Sequence, residues 1–404
     1  MSLRSSVEEV VTDLWDDELR WILVVLSIGQ LLSIGIRVVF PALLPQIKDE
    51  FLLTNTTAGV LLSVLWIGFA TAQLPGGILG DKIGERNALA TSAGLSTIAL
   101  VVIVLSTNLP VFAVGLALFG IGTGLYATPR ITVLSDVYPD RAAAAISVNE
   151  AVGNAGNAVL PVLATVIAAW FSWRMGVGMA LPAFVLLVVG LWIVIPRRTS
   201  PGIERDDEEP WSRTVRRVLV AATRKPVLVA TGGMILFGFV WQGFTAFLPT
   251  YLIEMKGIPQ STAAIALGTF FLAGSVFQPI LGSVADRYDE RPILVAVSAV
   301  SAVALAAFPF VNSTPAFLAL SVLASLQLAF WPIIFAYIPS ALPDNVQGSG
   351  FGLLRAVFLY AGATGPIVVG ALADIDLFDE AFLFLAGLMV VALILSAVLP
   401  RISR

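Results

Sequence analysis

The chain contains neither cysteine nor histidine. The first absence excludes disulfides and thiol nucleophiles. The second removes the commonest general base and the commonest metal ligand. Together they exclude Ser–His and Cys–His dyads, haem held by either residue and the usual zinc sites. Charge is also scarce: 12% of the 404 residues are Asp, Glu, Lys or Arg, about half of the roughly 25% of soluble domains. Acids outnumber bases, 27 to 23, for a formal net charge of −4. Few of those bases are Lys, and an acidic, Lys-poor exterior suits a high-salt habitat, where self-repulsion is screened. There is no phosphate loop of the G-x-x-x-x-G-K-[ST] type. No cofactor, metal or nucleic acid is expected, and too few candidate groups remain for an intramembrane enzyme.

What the chain has in excess is apolar length. It is 58% hydrophobic, with a mean hydropathy of +0.92. Crossing a bilayer takes about 20 apolar residues. Twelve stretches qualify, at 20–42, 57–79, 88–106, 110–134, 143–170, 174–195, 226–252, 260–283, 291–311, 314–337, 348–372 and 379–400. Residues 1–19 are acidic and lack the basic start of a secretory signal. There Val10, Val11, Leu14, Trp15 and Leu19 form either a short interfacial helix or part of a polar tail. The long polar segment 196–225 reads as a charged linker, with an interfacial helix around Trp211–Val220. It separates a bundle at 20–195 from another at 226–404. Basic residues collect in the termini and even-numbered loops, while Lys48, Arg174 and Lys256 are assigned to the opposite side, which predicts both termini in the cytoplasm.

A charged turn joins spans two and three: Gly77-Ile78-Leu79-Gly80-Asp81-Lys82-Ile83-Gly84-Glu85-Arg86. From position 282 it returns as Gly282-Ser283-Val284-Ala285-Asp286-Arg287-Tyr288-Asp289-Glu290-Arg291. Phe40-x-x-x-Leu44-Pro45 likewise matches Phe244-x-x-x-Leu248-Pro249, and Pro139-Asp140 matches Pro343-Asp344. A duplicated charged turn between spans points to a transporter of two parallel repeats. Gly77-x-x-x-Asp81-Lys82-x-Gly84-x-Arg86 resembles the signature loop of the major facilitator superfamily. The second copy keeps Gly282, Asp286, Arg287 and Arg291, with Asp289 in place of the glycine. The resemblance spans residues 20 to 400. It implies an all-α integral membrane protein with twelve transmembrane helices in two pseudo-symmetric six-helix bundles, and a cavity lined by spans one, four, seven and ten. It also implies that Asp81, Lys82, Gly84 and Arg86, with Asp286, Arg287 and Arg291 as the weaker copy, act as a gating latch. From local sequence alone, Asp81 and Asp286 could each cap the following helix, worth about 0.3–1 kcal/mol; a purely topological charged loop is the simpler reading.

Charges inside spans are costly, at least about 2.5–3.5 kcal/mol for a central Arg. Arg37 lies in span one, eight residues before Pro45, a spacing similar to that of organic-anion symporters of the superfamily. A guanidinium can bind a carboxylate or phosphate with two hydrogen bonds. Arg37 is therefore either an anion contact or an Arg satisfied by carbonyls and neighbouring helices. Arg130 and Glu150 lie about 9 and 13 Å from one end of spans four and five. They form either a structural ion pair or a switch in which Glu150 takes a proton while substrate takes Arg130. Arg355, at the duplicate of Glu150, is assigned to gating.

Uncharged cavity candidates are Tyr126, Trp241, Gln242 and Trp331, with Phe40, Asn149, Asn154, Asn157, Phe244, Gln327, Phe330 and Tyr337 behind them; the same residue types also serve membrane interfaces. The glycines Gly120, Gly122 and Gly124, Gly153 and Gly156, and Gly362 and Gly365 allow helices either to slide or simply to pack closely. The expectation is a monomeric cell-membrane transporter, moving a small organic anion by alternating access and coupled to a proton or sodium ion. Proton-driven multidrug efflux and a non-transporting receptor are the alternatives.

Overall fold

Backbone surrounded by hydrocarbon has no water to bond, so an apolar run must satisfy its own amides, and a helix does so. The computed structural model describes residues 19–199, 220–221, 223–343 and 347–400; of Asp286, Gly348 and Ser349 it describes the backbone alone. Twelve helices among these residues are long and apolar enough to cross a membrane: α1 Arg20–Phe51, α2 Asn55–Ile83, α3 Glu85–Leu105, α4 Leu109–Val137, α5 Pro139–Trp170, α6 Trp173–Val194, α7 Lys225–Glu254, α8 Gln260–Ala285, α9 Glu290–Phe310, α10 Thr314–Ala341, α11 Gly350–Ala373 and α12 Phe378–Ala397. The described residues contain no strand. The N-terminal segment, the 200–219 part of the linker and Asp344 lie outside the described residues.

Some helix starts follow from local chemistry. Asn108 accepts from Val111 N at 3.0 Å ahead of α4, and Ser172 accepts from Met175 N at 3.4 Å ahead of α6, as N-caps do. Between α3 and α4 the close approach depends on a missing side chain. A Cβ on Gly122 would lie 2.4 Å from Ser96 Oγ, and Ser92 Oγ donates to Gly122 O at 2.7 Å.

Two boundaries differ from expectation. Helix α1 continues through Pro41 and Pro45 to Phe51 instead of ending near 42, so Lys48 is in its last turn and not in a loop. The polar residues there have polar partners: Lys48 Nζ lies 2.6 Å from Glu254 Oε1 and also bonds Asn55 Oδ1, and Gln46 donates to Gln260 at 2.8 Å. Helix α2 continues through Asp81 to Ile83, so Asp81 closes α2 and does not cap α3. The N-cap of α3 is Gly84, with no side-chain cap bond. In the second copy the helix continues beyond the apolar span of α8, past Ala285 to Arg287, and Asp289 caps α9 by accepting from Arg291 N at 3.0 Å. The Asp286 side chain lies outside the described residues.

By Cα proximity the chain divides into two units. One holds Met1–Val39 with Gly68–Glu204; the other holds Phe40–Ile67 with Arg205–Arg404. The cut passes through α1 and α2, so the second unit includes the end of α1 and the start of α2.

Candidate functional site

The first unit contains a buried polar chain across three helices. Arg130 on α4 is 4% exposed, and its Nη2 lies 2.8 Å from Glu150 Oε1 on α5. Its Nη1 donates to Asn149 Oδ1. Asn149, fully buried, donates in turn to Ser27 Oγ on α1 at 3.3 Å. The other Glu150 oxygen accepts from Gln30 Nε2, also on α1, at 3.0 Å. Ser27 and Gln30 stand three residues apart and so share a helix face. Glu150 itself is about two-fifths exposed, at 43% of its side-chain surface.

Arg37 is 7% exposed. Its Nε donates to Ser33 O at 3.0 Å, and its guanidinium lies over the Phe69 ring of α2, 3.9 Å from the centroid. It is within electrostatic reach of both Glu150 and Arg130. Two guanidinium groups, Arg37 and Arg130, are thus within reach of one carboxylate, Glu150. Tyr126 is buried beside it and donates to Leu26 O at 2.9 Å. The residues missed from sequence are Gln30 and Ser27; their spacing of three puts them on one face of span one, but nothing in the sequence says which helix that face meets.

The second unit places aromatic rings instead. Trp241 on α7 meets Trp66 on α2 at 5.3 Å and Trp331 on α10 at 6.1 Å, both edge to face, a favoured ring geometry. All three are half-buried. Trp331 leans on Phe358 at 4.9 Å and on Phe335 at 5.7 Å, and Arg355 lies over Phe335 at 5.9 Å. Gln242 is fully buried, and neither polar atom of its side chain has a hydrogen-bond partner among the described residues. Phe244 is fully buried among Phe270, Phe308 and Phe382, and Tyr337 donates to Pro400 O at 2.6 Å.

The gating candidates are seen in their own units. Asp81 and Lys82 are exposed, and their carbonyls accept from Arg198 Nη2 at 2.9 and 3.4 Å; a cation suits a helix C-terminus. Arg86 lies over Trp192 at 4.9 Å, and Arg291 donates to Ala397 O. These two contacts are duplicates of each other, 205 residues apart at both ends (86 to 291, 192 to 397). Arg287 is exposed in the last turn of its helix. Glu85 is 1% exposed and accepts from Thr199 N at 2.9 Å, a role its place in the motif did not reveal.

The sequence model of the Major Facilitator Superfamily matches residues 26–274 and 255–404. The chain belongs to that superfamily. Among its relatives, a hexuronate transporter of Bacillus subtilis is 24% identical over 375 residues, covering 86% of each chain. A glucose/galactose transporter of Brucella abortus is 27% identical over 355 residues, covering 82% of each. A bacterial homologue of the human lysosomal transporter Spinster, in an inward-facing form, shares the fold with a TM-score of 0.80 at 14% identity, over 94% of this chain and 96% of that one. The protein is thus a multi-pass membrane transporter and not an enzyme.

Proposed function

We propose that this superfamily member carries small organic anions, coupled to an ion and working by alternating access. The observation that carries this reading is the cluster in the first unit: buried Arg37 and Arg130 beside one partly open carboxylate, Glu150. An arginine placed in an apolar span at a cost of several kcal/mol calls for a role. In this reading Arg37 and Arg130 bind the substrate carboxylate, and Glu150 is the coupling group that releases Arg130 when it takes a proton. The relatives include one named for a hexuronate, a sugar acid, and one named for neutral sugars; two buried arginines in the spans favour the acid. Trp241, Gln242 and Trp331 supply the uncharged contacts. Asp81, Lys82, Gly84 and Arg86, with Asp286, Arg287, Arg291 and Arg355, set the conformational balance away from substrate. The reading places the protein in the cell membrane, with both termini cytoplasmic.

The Trp66–Trp241–Trp331 cluster favours a second reading, export of cationic aromatic drugs. Proteoliposomes with an imposed pH jump separate the two. Uptake of labelled glucuronate, competed by other organic acids and abolished by Arg37→Glu, supports the anion reading. Proton-driven export of a cationic dye that survives Arg37→Glu replaces it with the second.

A further inference from the structure

Glu150 has one partner that can only donate and one that can either donate or accept. Arg130 offers N–H donors and no acceptor, so it can bond a carboxylate, or the carbonyl oxygen of the neutral acid more weakly, but it cannot accept the acid O–H. Gln30 carries a donor and an acceptor on one amide, exchanged by a half-turn about its last bond. Its Nε2 now donates to Glu150 Oε2 at 3.0 Å, from a side chain only 6% exposed. The space for it is made by Gly153, where a Cβ would lie 2.7 Å from Gln30 Cγ. Three residues before Gln30 on the same helix, Ser27 holds Asn149, which holds the other arm of Arg130. Among the described residues, the charged groups seen to act on Glu150 are Arg130 from α4 and Arg37 from α1.

We propose that Gln30 is a positioning residue for coupling: its amide donates to the ionised Glu150 and turns over to accept the acid O–H once Glu150 is protonated. The proton comes from water on the open side of Glu150 and adds to one carboxylate oxygen; no other bond forms or breaks. The neutral acid then stays beside α1, and Arg130 loses its carboxylate. Arg130 does not swing away, because Asn149 and Ser27 still hold its Nη1 arm, so it stands ready for an incoming anion. A serine and a glutamine one turn apart thereby divide the work, one fixing the cation and the other the acid. The inference rests on Glu150 being the coupling carboxylate.

Infrared difference spectra of the full chain in nanodiscs, between alkaline and acidic buffer, test it without a substrate. A carboxylic-acid band that Glu150→Gln removes identifies Glu150. The proposal expects that band at the frequency of a hydrogen-bonded acid, with a paired glutamine amide signal. In Gln30→Met, similar in size but unable to bond, the acid band moves to the frequency of an unbonded acid and the amide signal disappears. In proteoliposomes with glucuronate as probe, Gln30→Met loses about tenfold or more in uphill accumulation, the scale of one hydrogen bond to a charged group, while exchange at equal pH stays within about threefold. If Glu150→Gln removes no band, Glu150 does not titrate, and the coupling reading falls with this inference. If the Glu150 band is present and unmoved in Gln30→Met, the Gln30 inference alone is overturned. Should that variant not fold, the wild-type chain labelled with 13C-glutamine decides: absence of a protonation-linked glutamine signal overturns the proposal.

Discussion

Glu150 and Arg355 occupy duplicate positions, 205 residues apart, as do Arg130 and Phe335. In the first half the pair is an ion pair at 2.8 Å; in the second it is a guanidinium over a ring at 5.9 Å. The same substitution of rings for polar groups recurs nearby. Arg37, in the register of the Phe40 and Phe244 match, duplicates as Trp241, while Tyr126, already a ring, duplicates as the larger Trp331. One scaffold therefore carries a polar chain in one copy and an aromatic cluster in the other. The duplication conserves where contacts are made and not what makes them. Under the proposed function, charge is read by the first half and shape by the second.

The sharpest way to break that contrast is to remove the charges on one side only. Arg130→Gln is expected to lower glucuronate uptake by roughly 30-fold to 5,000-fold, the range for losing one partner of a buried charge pair. Arg355→Gln, its counterpart across the duplication, is expected to change uptake by less than about fivefold, since its cation–ring contact lies at a half-buried site, where such contacts are worth about 0.5–1 kcal/mol. Initial uptake rates in proteoliposomes measure both. Equal losses would mean that charge is not confined to the first half.

A smaller effect separates the two copies of the charged turn. Gly84 has φ +87° and ψ 150°, a region essentially reserved for glycine, and a Cβ there would lie 2.2 Å from Arg197 O. In the second copy Asp289 stands at the equivalent place with φ −163° and caps α9. Gly84→Ala is expected to cost at least about 1–3 kcal/mol, and Asp289→Ala about 1 kcal/mol. Thermal unfolding in detergent checks the order; a larger loss at Asp289 would reverse the assignment of strain and cap.

The helical frame could be read in the sequence because hydrocarbon allows few alternatives: twelve apolar runs became twelve helices. The end of α1 could not, since Gln46 and Lys48 look like loop residues until Gln260 and Glu254, some 200 positions on, supply partners. Arg130 and Glu150 were visible as charges at matching depths along neighbouring helices. Gln30 was not, because an uncharged side chain in an apolar span gives no sign of which helix it faces. Asp81 looked like a cap for α3 because its carboxylate precedes that helix; the chain instead uses it to finish α2 and turns at Gly84.

The smallest expected effect concerns a cap supplied from far along the chain. Asp374, just after α11, accepts from Asn55 N at 2.7 Å and from Thr56 N and Oγ1 at 2.8 and 2.6 Å, closing the open amides at the start of α2 within the second unit. Burial pushes the Asp374 carboxyl up, but the hydrogen bonds from Thr56, Asn55 and Thr54 outweigh it and hold the carboxyl below its ordinary value of 3.8. A carboxylate held below its unfolded value stabilises fully above that value and loses its contribution as pH falls through the lowered one. Asp374→Ala is therefore expected to cost about 0.5–1 kcal/mol, the low end for a cap at an exposed site. The gap in melting temperature from the wild type should be constant from neutral to mildly acidic buffer and close only below the ordinary carboxylate range, about pH 4. The first unit has its own caps, Asn108 and Ser172, each immediately before the helix it serves. Ala substitutions there test whether a cap from 319 residues away is worth as much as one from the adjoining turn. If Asp374→Ala left the melting temperature unchanged at neutral pH while Asn108→Ala lowered it, the distant carboxylate would be a bystander at the start of α2.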